Sequence, residues 1–216
     1  MTATPDLQPA STERAGAARL WSQRLVQLYL GLVLYGISDA MMVRARLGLD
    51  PWDVLHQGLA VRTGHAIGTI SVIVGALVLL LWWPLRQWPG VGTASNVVVV
   101  GLSMNQALQV LPDQHGYLAQ AAMLAGGIAL CGLATGMYIS ARLGPGPRDG
   151  LMTGLASRTG RSIRLTRTVI ELAVLVVGWL LGGSVGLGTV LFAISIGPFS
   201  QLFLRLLRIS GLDSTA

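Results

Sequence analysis

Apolar residues follow one another in long stretches along this chain, separated by short polar breaks. The stretches cover about residues 25–43, 67–84, 93–111, 118–140, 165–181 and 187–207. Crossing the hydrocarbon core of a bilayer takes roughly 20 helical residues, and each stretch is close to that length. The pattern therefore predicts an all-α membrane protein with six transmembrane helices and no soluble domain.

The polar segments set the remaining boundaries. Residues 1–22 are small, polar and contain proline, without a signal-peptide cleavage pattern, and we expect a disordered cytoplasmic tail there. Residues 23–111 and 118–208 then form two three-span units, joined by a loop at 112–117, and 209–216 form a second cytoplasmic tail.

The second half of the chain repeats the first at an offset of 96 residues. When residues 31–111 are laid on 127–207 without gaps, 28 of the 81 pairs are identical. The densest match joins ARLGLDPWDVLHQGLAVRTG (45–64) to ARLGPGPRDGLMTGLASRTG (141–160). Such density indicates an internal duplication, in which each half holds three spans and one copy of this block.

Because three is an odd number, the second half must be inserted upside down if every span crosses once. With the N-terminus in the cytoplasm, twelve arginines lie on the cytoplasmic side and three outside. Arg148, Arg161 and Arg164 have no arginine at the equivalent first-half position, and all fall inside; Arg44 is the exception. We therefore predict two inverted three-helix repeats in a bacterial plasma membrane, with both termini cytoplasmic.

The repeated block predicts a short helix in each half. Asp50 can cap a helix that starts at Pro51, as one can start at Pro147, while Gly64 and Gly160 suit the left-handed residue past its end. About 12 residues span about 18 Å, too little to cross a membrane. Each short helix is therefore either re-entrant or interfacial. The glycines and prolines of this motif are Gly48, Pro51, Gly58 and Gly64, and Gly144, Pro147, Gly154 and Gly160.

Charged residues of the block are the first candidates for a substrate or ion path. If the two short helices enter from opposite sides, they present Arg46, Asp53, Arg142 and Asp149 to a shared central path, and Pro51 and Pro147 at the helix starts are path candidates with them. The alternative is structural, because a carboxylate in the first turn matches the helix dipole without any further role.

Polar residues within the spans are further candidates. Polar and ionisable groups are costly to bury in a membrane, so their presence there suggests a function. These candidates are Asp39, Asn96, Asn105 and Glu171. Each has a structural alternative: a position near the surface beside Arg44 for Asp39, an ion pair with Arg167 for Glu171, and hydrogen bonds between helices for the asparagines.

The duplicated ARLG-x-x-P-x-D-x-L-x-x-GLA-x-RTG block and the ending IGPFSQ (196–201) resemble the YczE/YitT-type bacterial membrane proteins, in particular the actinobacterial YczE-like branch. The resemblance covers about residues 24–208 and implies a small polytopic plasma-membrane protein. That family has no settled biochemical activity. Some members are associated with making or secreting natural products, which is consistent with export.

Composition agrees with the membrane assignment. Only 11% of residues are charged, against about 25% in soluble domains, while 52% are hydrophobic and the mean hydropathy is +0.63. All 15 basic residues are arginine, and the net charge of +6 fits membrane orientation better than nucleic-acid binding.

One cysteine excludes an internal disulfide, and Gly182–Gly186 matches the serine-hydrolase pattern without a histidine after it. We expect no enzyme activity, cofactor or metal site.

These features favour a gradient-driven transporter of a small molecule or ion, acting by alternating access between inverted repeats, with export as the expected direction. A non-transporting partner or assembly factor for a biosynthesis or secretion system is the first alternative, and a channel is the second. The expected partners are the lipid bilayer and an unknown small molecule or ion, and a homodimer is an open alternative. The sequence does not identify the substrate or the coupling ion.

Overall fold

A computed structural model describes residues 9–207, and within that range it contains eight helices and no strand. The first half holds α1 (Pro9–Ala45), α2 (Pro51–Thr63), α3 (Ile67–Trp82) and α4 (Val91–Val110). The second half holds α5 (Tyr117–Ser140), α6 (Pro147–Thr159), α7 (Ile163–Leu180) and α8 (Leu187–Leu206).

The backbone repeats as the sequence does. Helices α2 and α6 begin and end at equivalent positions, as do α4 and α8. Unusual backbone conformations recur too, since φ is 55° at Arg46 and 51° at Arg142. Non-glycine residues adopt positive φ uncommonly, so this pair marks the same sharp turn at the end of α1 and of α5.

Equivalent helices α1 and α5 pack against each other in opposite directions. Gly31 lies against Met137, and the equivalent contact places Gly127 against Met41. In the first half of α1, Arg24 Nε donates a hydrogen bond of 2.8 Å to the carbonyl of Ala141, just beyond the end of α5. Early residues of one helix therefore meet late residues of the other, and the pairing is reciprocal between the two halves.

The two halves are also joined by a reciprocal pair of backbone hydrogen bonds. Gly92 N donates to the carbonyl of Leu143 at 2.8 Å, and Gly188 N donates to that of Leu47 at 2.7 Å. In each case the last helix of one half begins against the loop that precedes the short helix of the other half. Each half therefore helps to position the short helix of its counterpart.

Four helical segments are long and apolar enough to cross a membrane. They are Ala18–Ala45, Ile67–Leu85, Tyr117–Ser140 and Leu187–Leu206. Helices α4 and α7 fall short because their composition is more polar, with Asn96 and Asn105 in α4 and Arg167 and Glu171 in α7. The six-span arrangement is thus supported for four helices and stays a prediction for the other two.

One local expectation is revised. Residues 9–22, which we assigned to a disordered tail, are helical because α1 begins at Pro9. This stretch contains alanine, arginine and leucine, which are good helix formers, and it extends a helix that is already nucleated. Residues 1–8 of the expected N-terminal tail and the whole C-terminal tail lie outside the described residues.

Trp82 differs from the other aromatic residues at the end of α3. Trp83 and Trp88 are exposed, as residues at a membrane surface would be. Trp82 is buried instead, and its Nε1 donates to the carbonyl of Pro147 at 3.0 Å. It fits there because Gly150 of α6 has no side chain beneath the indole ring.

Candidate functional site

Helices α2 and α6 both begin inside the protein and end at its surface. In α2, Trp52 and Asp53 are buried whereas Arg62 is exposed. In α6, Gly150 is buried whereas Arg158 is exposed. At 13 residues each, they reach about 20 Å. The short helices therefore dip into the protein rather than lie along its outside.

The inner ends of these helices are set by local sequence. Asp50 caps α2 and accepts hydrogen bonds from the backbone N–H groups of Trp52 at 2.8 Å and Asp53 at 3.2 Å. At the outer ends, Gly64 and Gly160 adopt the left-handed conformation that the sequence predicts, with φ of 73° and 66°. Both positive helix ends consequently face the interior.

A cavity of about 320 Å³ lies where these two helix starts meet. Its wall draws on equivalent positions of both halves. These equivalent pairs are Asp50 and Gly146, Pro51 and Pro147, Trp52 and Arg148, His56 and Met152, Ser71 and Arg167, Gly75 and Glu171, Asn96 and Phe192, and Val100 and Ile196. The backbone framework of the two walls is thus the same, while their side-chain chemistry differs.

Arg148 joins the two short helices electrostatically. Its Nη1 lies 3.5 Å from Asp50 Oδ1 and its Nη2 lies 3.7 Å from Asp53 Oδ1. The guanidinium carbon also lies 5.2 Å from the ring centroid of Trp52, within the range of a cation–π contact. The first residues of α6 are therefore attached to the first residues of α2 across the cavity.

Asp39 of α1 completes a buried carboxylate cluster with Asp50 and Asp53. The exposed fraction of each residue is 2% or less, and one oxygen from each of the three carboxylates can be chosen so that all lie within 4.8 Å. His56 belongs to the same cluster, with Nδ1 3.0 Å from Asp53 Oδ1. Asp39 is thus not the surface carboxylate of the structural alternative, and Arg44 pairs elsewhere.

Other candidate residues line the cavity with local partners. Asp149 Oδ2 accepts a 2.9 Å hydrogen bond from the hydroxyl of Tyr138. Glu171 pairs with Arg167 at 2.7 Å within α7, as its structural alternative predicts, and both residues line the cavity. Asn96 lies in the same wall.

Asn105 lies outside the cavity lining and connects helices. Its Oδ1 accepts a hydrogen bond from Gly68 N at 2.9 Å, and its Nδ2 donates to Thr69 Oγ1 at 3.1 Å. Both partners are in α3, so Asn105 fits the packing alternative.

Arg46 and Arg142 are likewise outside the cavity lining. Arg46 and Arg44 pair with Asp113 in the loop between the halves, at 2.9 and 2.8 Å. The hydrogen bond from Arg44 lowers the pKa of the Asp113 carboxyl below its ordinary value. The carbonyl of Arg142 accepts a 2.8 Å hydrogen bond from Arg24. The structure therefore places Asp149 in the cavity wall and Asp53 in the carboxylate cluster next to it, and both arginines lie elsewhere.

The glycines of the repeated block permit close packing. A Cβ on Gly58 would lie 2.4 Å from the carbonyl oxygen of Gly178, and one on Gly154 would lie 3.0 Å from Gln87 Cγ. Gly48 and Gly144 have φ of 111° and 127°, which L side chains rarely adopt. These positions hold the short helices against the opposite half.

Sequence reasoning missed several residues of the site. From its place in the repeated block, Asp50 is predicted only to cap a helix and Arg148 only to mark the cytoplasmic side, and no role is predicted for Trp52. A usable signal was present, because Asp50 faces Gly146 and Trp52 faces Arg148 in the aligned block. Differences within an otherwise repeated motif identify where the two halves take different chemical roles.

Comparisons with known proteins agree with the resemblance. An uncharacterized protein of Haemophilus influenzae is 39% identical over 194 residues, covering 88% of this chain and 89% of the relative. The uncharacterized membrane protein YczE of Bacillus subtilis is 33% identical over 171 residues, covering 78% and 80%. The uncharacterized protein YyaS of the same species is 22% identical over 183 residues, covering 83% and 91%.

The model of DUF6198, a family of unknown function, matches residues 22–205. No solved structure matches the chain. The YczE-like resemblance is thereby confirmed.

Proposed function

This chain belongs to the DUF6198 family of unknown function, and we propose that it is a membrane transporter whose central cavity carries a small molecule or ion. The observation that carries the proposal is the meeting of two short helices, from equivalent positions of the two halves, at one cavity with charged walls. Discontinuous helices that end near mid-membrane form the substrate and ion sites of many secondary transporters.

The proposed membrane arrangement is an inverted repeat with both termini in the cytoplasm. The antiparallel packing of α1 and α5 supports it, because Gly31–Met137 and Gly127–Met41 are equivalent contacts between helices of opposite direction. If α1 crosses the bilayer, α5 then crosses it the other way, and the halves are inverted.

The polar residues of α4 and α7 are compatible with two further spans. Arg167 and Glu171 line the cavity and pair with each other, and Asn96 lies in the same wall. Asn105 bonds to α3. Intramembrane polar groups are tolerated when they face a cavity or another helix rather than lipid. Hydropathy alone therefore underestimates the ability of both helices to cross.

The cavity suits a small polar substrate. Its volume of about 320 Å³ is at the lower end of the range for small-molecule sites, about 300–1,000 Å³. Trp52, Tyr35 and Tyr138 supply aromatic surface, and Arg148 and Asp149 supply both signs of charge. Two helix N-termini also favour negative groups near their ends. An ion gradient is the proposed energy source, and export stays a prediction from the resemblance.

Cysteine accessibility tests this function without knowledge of the substrate. With Cys131→Ala as background, Ser71→Cys on α3 and Ser200→Cys on α8 each place a thiol at the cavity wall. Ser140→Cys is the matched control, because Ser140 is buried but does not line the cavity. Each variant is treated with a charged, impermeant thiol reagent, once in intact cells and once in inside-out vesicles.

Alternating access predicts that both cavity thiols react from each side and that changing the ion gradient shifts reactivity from one side to the other. Ser140→Cys should stay unreactive. Reaction from both sides at undiminished rate under every gradient would contradict a transporter and indicate a channel. Absence of reaction from either side would contradict transport and favour the assembly-factor alternative.

A further inference from the structure

Each carboxylate of the Asp39, Asp50 and Asp53 cluster keeps one oxygen without a partner. Among the described residues, no hydrogen-bond donor reaches Asp39 Oδ1, Asp50 Oδ2 or Asp53 Oδ2, although all three atoms are buried. A buried acceptor without a partner costs on the order of 1–3 kcal/mol, and more when it is charged. A ligand bound to all three oxygens would remove this cost.

The donors that surround the cluster already use the other oxygens. Arg148 and the backbone N–H groups of α2 reach Asp50 Oδ1, and Arg148 and His56 reach Asp53 Oδ1. Among the described residues, no hydrogen-bond donor reaches Asp39 Oδ1. If all three carboxylates are ionised, the cluster with one guanidinium and a neutral imidazole carries a net formal charge of −2. Protons or a bound cation must neutralise a buried excess of this size, and the three oxygens without a donor favour a cation.

We propose that Asp39, Asp50 and Asp53 bind a small hard cation, with one carboxylate oxygen from each as a ligand. Cations such as Na⁺ and Ca²⁺ take oxygen ligands, and Ca²⁺–oxygen distances of about 2.3–2.6 Å place opposite ligands up to about 5 Å apart. The spread of up to 4.8 Å among the three oxygens fits an ion of this size. One divalent ion, or one Na⁺ together with a proton, balances the charge.

The site opens onto the transport cavity at Asp50 and His56. Both residues line the cavity, whereas Asp39 and Asp53 do not. An ion would therefore come from the cavity, pass Asp50 and bind beside Arg148. This inference rests on the proposed function for the role of the ion, which is to couple the gradient to movement of the substrate. The site itself depends only on the three carboxylates.

Ion binding is tested on the purified full-length protein in detergent, without any gradient. Its thermal midpoint is measured at pH 8 with NaCl, CaCl₂, MgCl₂ or choline chloride at matched ionic strength. NaCl or CaCl₂, at a concentration about 100 times its Kd, is expected to raise the midpoint by about 5 °C over choline, and the shift should grow with the logarithm of concentration. Binding of radioactive ²²Na⁺ or ⁴⁵Ca²⁺ identifies which of the two ions is bound.

Asp39→Asn should abolish the shift, because it removes charge from the carboxylate with the fewest protein partners. If this variant does not fold, Asp39→Thr replaces it, since threonine occupies the equivalent position 135. Asp149→Asn is the matched control: it is equivalent to Asp53 but accepts its hydrogen bond from Tyr138, and it should keep the full shift.

Equal shifts in wild type and Asp39→Asn would overturn the site, as would absence of any shift with all three metal salts. Stabilisation by acid alone would also overturn it, because a proton would then balance the cluster. The outcomes remain separate from those of the transport test. A bound cation together with unreactive cavity thiols would retain the cation site and contradict the transporter. Reactive cavity thiols without cation binding would contradict the cation site alone.

Discussion

Replacing Gly150 with valine is expected to lower the free energy of unfolding by about 3 kcal/mol or more, since it overpacks a closed interface. A Cβ at this position would lie 2.0 Å from Cζ2 of Trp82. The indole ring cannot move away easily, because it is buried and its Nε1 bonds to the carbonyl of Pro147. The effect is measured as the change in the thermal midpoint of the purified protein. The fraction of protein that stays folded after heating to each temperature is determined by size-exclusion chromatography.

The equivalent interface of the other half supplies a rescue. There, the position of Gly150 is held by Val54 and that of Trp82 by Gly178, and a Cβ on Gly178 would lie 2.6 Å from Val54 C. Large and small residues thus occur in opposite order at the two interfaces. Trp82→Gly alone should also destabilise, by about 3–5 kcal/mol, because it leaves a void.

The double variant Trp82→Gly/Gly150→Val copies the other interface. Its loss of unfolding free energy should be smaller than the sum of the losses in the two single variants. Gly197→Val on α8 is the control, because a Cβ at Gly197 meets no atom within 4 Å. It should change the midpoint by only a few degrees. Strictly additive losses in the double variant would show that the two interfaces are not equivalent in packing.

Arg148→Met is expected to have an effect of similar size for an electrostatic reason. It removes the guanidinium from Asp50 and Asp53, at 3.5 and 3.7 Å, and leaves their carboxylates buried without a cationic partner. Breaking a buried ion pair on one side costs about 3–5 kcal/mol. A drop of roughly 10 °C in the thermal midpoint follows for a chain of this length.

Removal of one of the opposing charges should restore part of that loss. Arg148→Met/Asp50→Asn is therefore expected to be more stable than Arg148→Met. Arg161→Met is the matched control, since Arg161 is an exposed arginine just beyond α6. If Arg148→Met were as stable as Arg161→Met, the contact between α2 and α6 would not hold the two short helices together.

Much of the fold is predictable from the repeat. Pro51 and Gly64 mark the bounds of α2, and Pro147 and Gly160 mark those of α6, because proline starts and glycine ends these helices for local steric reasons. A length of 13 residues also excludes a full crossing. These features depend on neighbouring residues only, so the sequence contains them.

The chemistry of the site depends on contacts that are distant in the sequence. Asp39 meets Asp53 only because the loop after α1 turns back toward the interior. Arg148 reaches Asp50 from the opposite half. Neither contact follows from spacing along the chain. For the same reason, the sequence leaves open whether the short helices are re-entrant or interfacial. Their burial depends on packing of α2 against α7 and of α6 against α3, which are contacts distant in the sequence.

The burial of Trp82 shows how the repeat itself can mislead. Its exposed neighbour Trp83 recurs as Trp179, but Trp82 is replaced by Gly178, so the repeat gives no sign that Trp82 is buried. The compensating change lies on another helix, where Gly150 replaces Val54. Reading both differences together would have predicted the contact.

The central claim, that the two halves are inverted about the cavity, is tested most directly by labelling equivalent positions. His65 and Arg161 are exposed residues just beyond α2 and α6, at the same place in the two repeats. With Cys131→Ala as background, His65→Cys and Arg161→Cys are treated with an impermeant thiol reagent. We predict labelling of position 65 in intact cells and of position 161 only after permeabilisation. Labelling of both from the same side would contradict the inverted arrangement and, with it, alternating access.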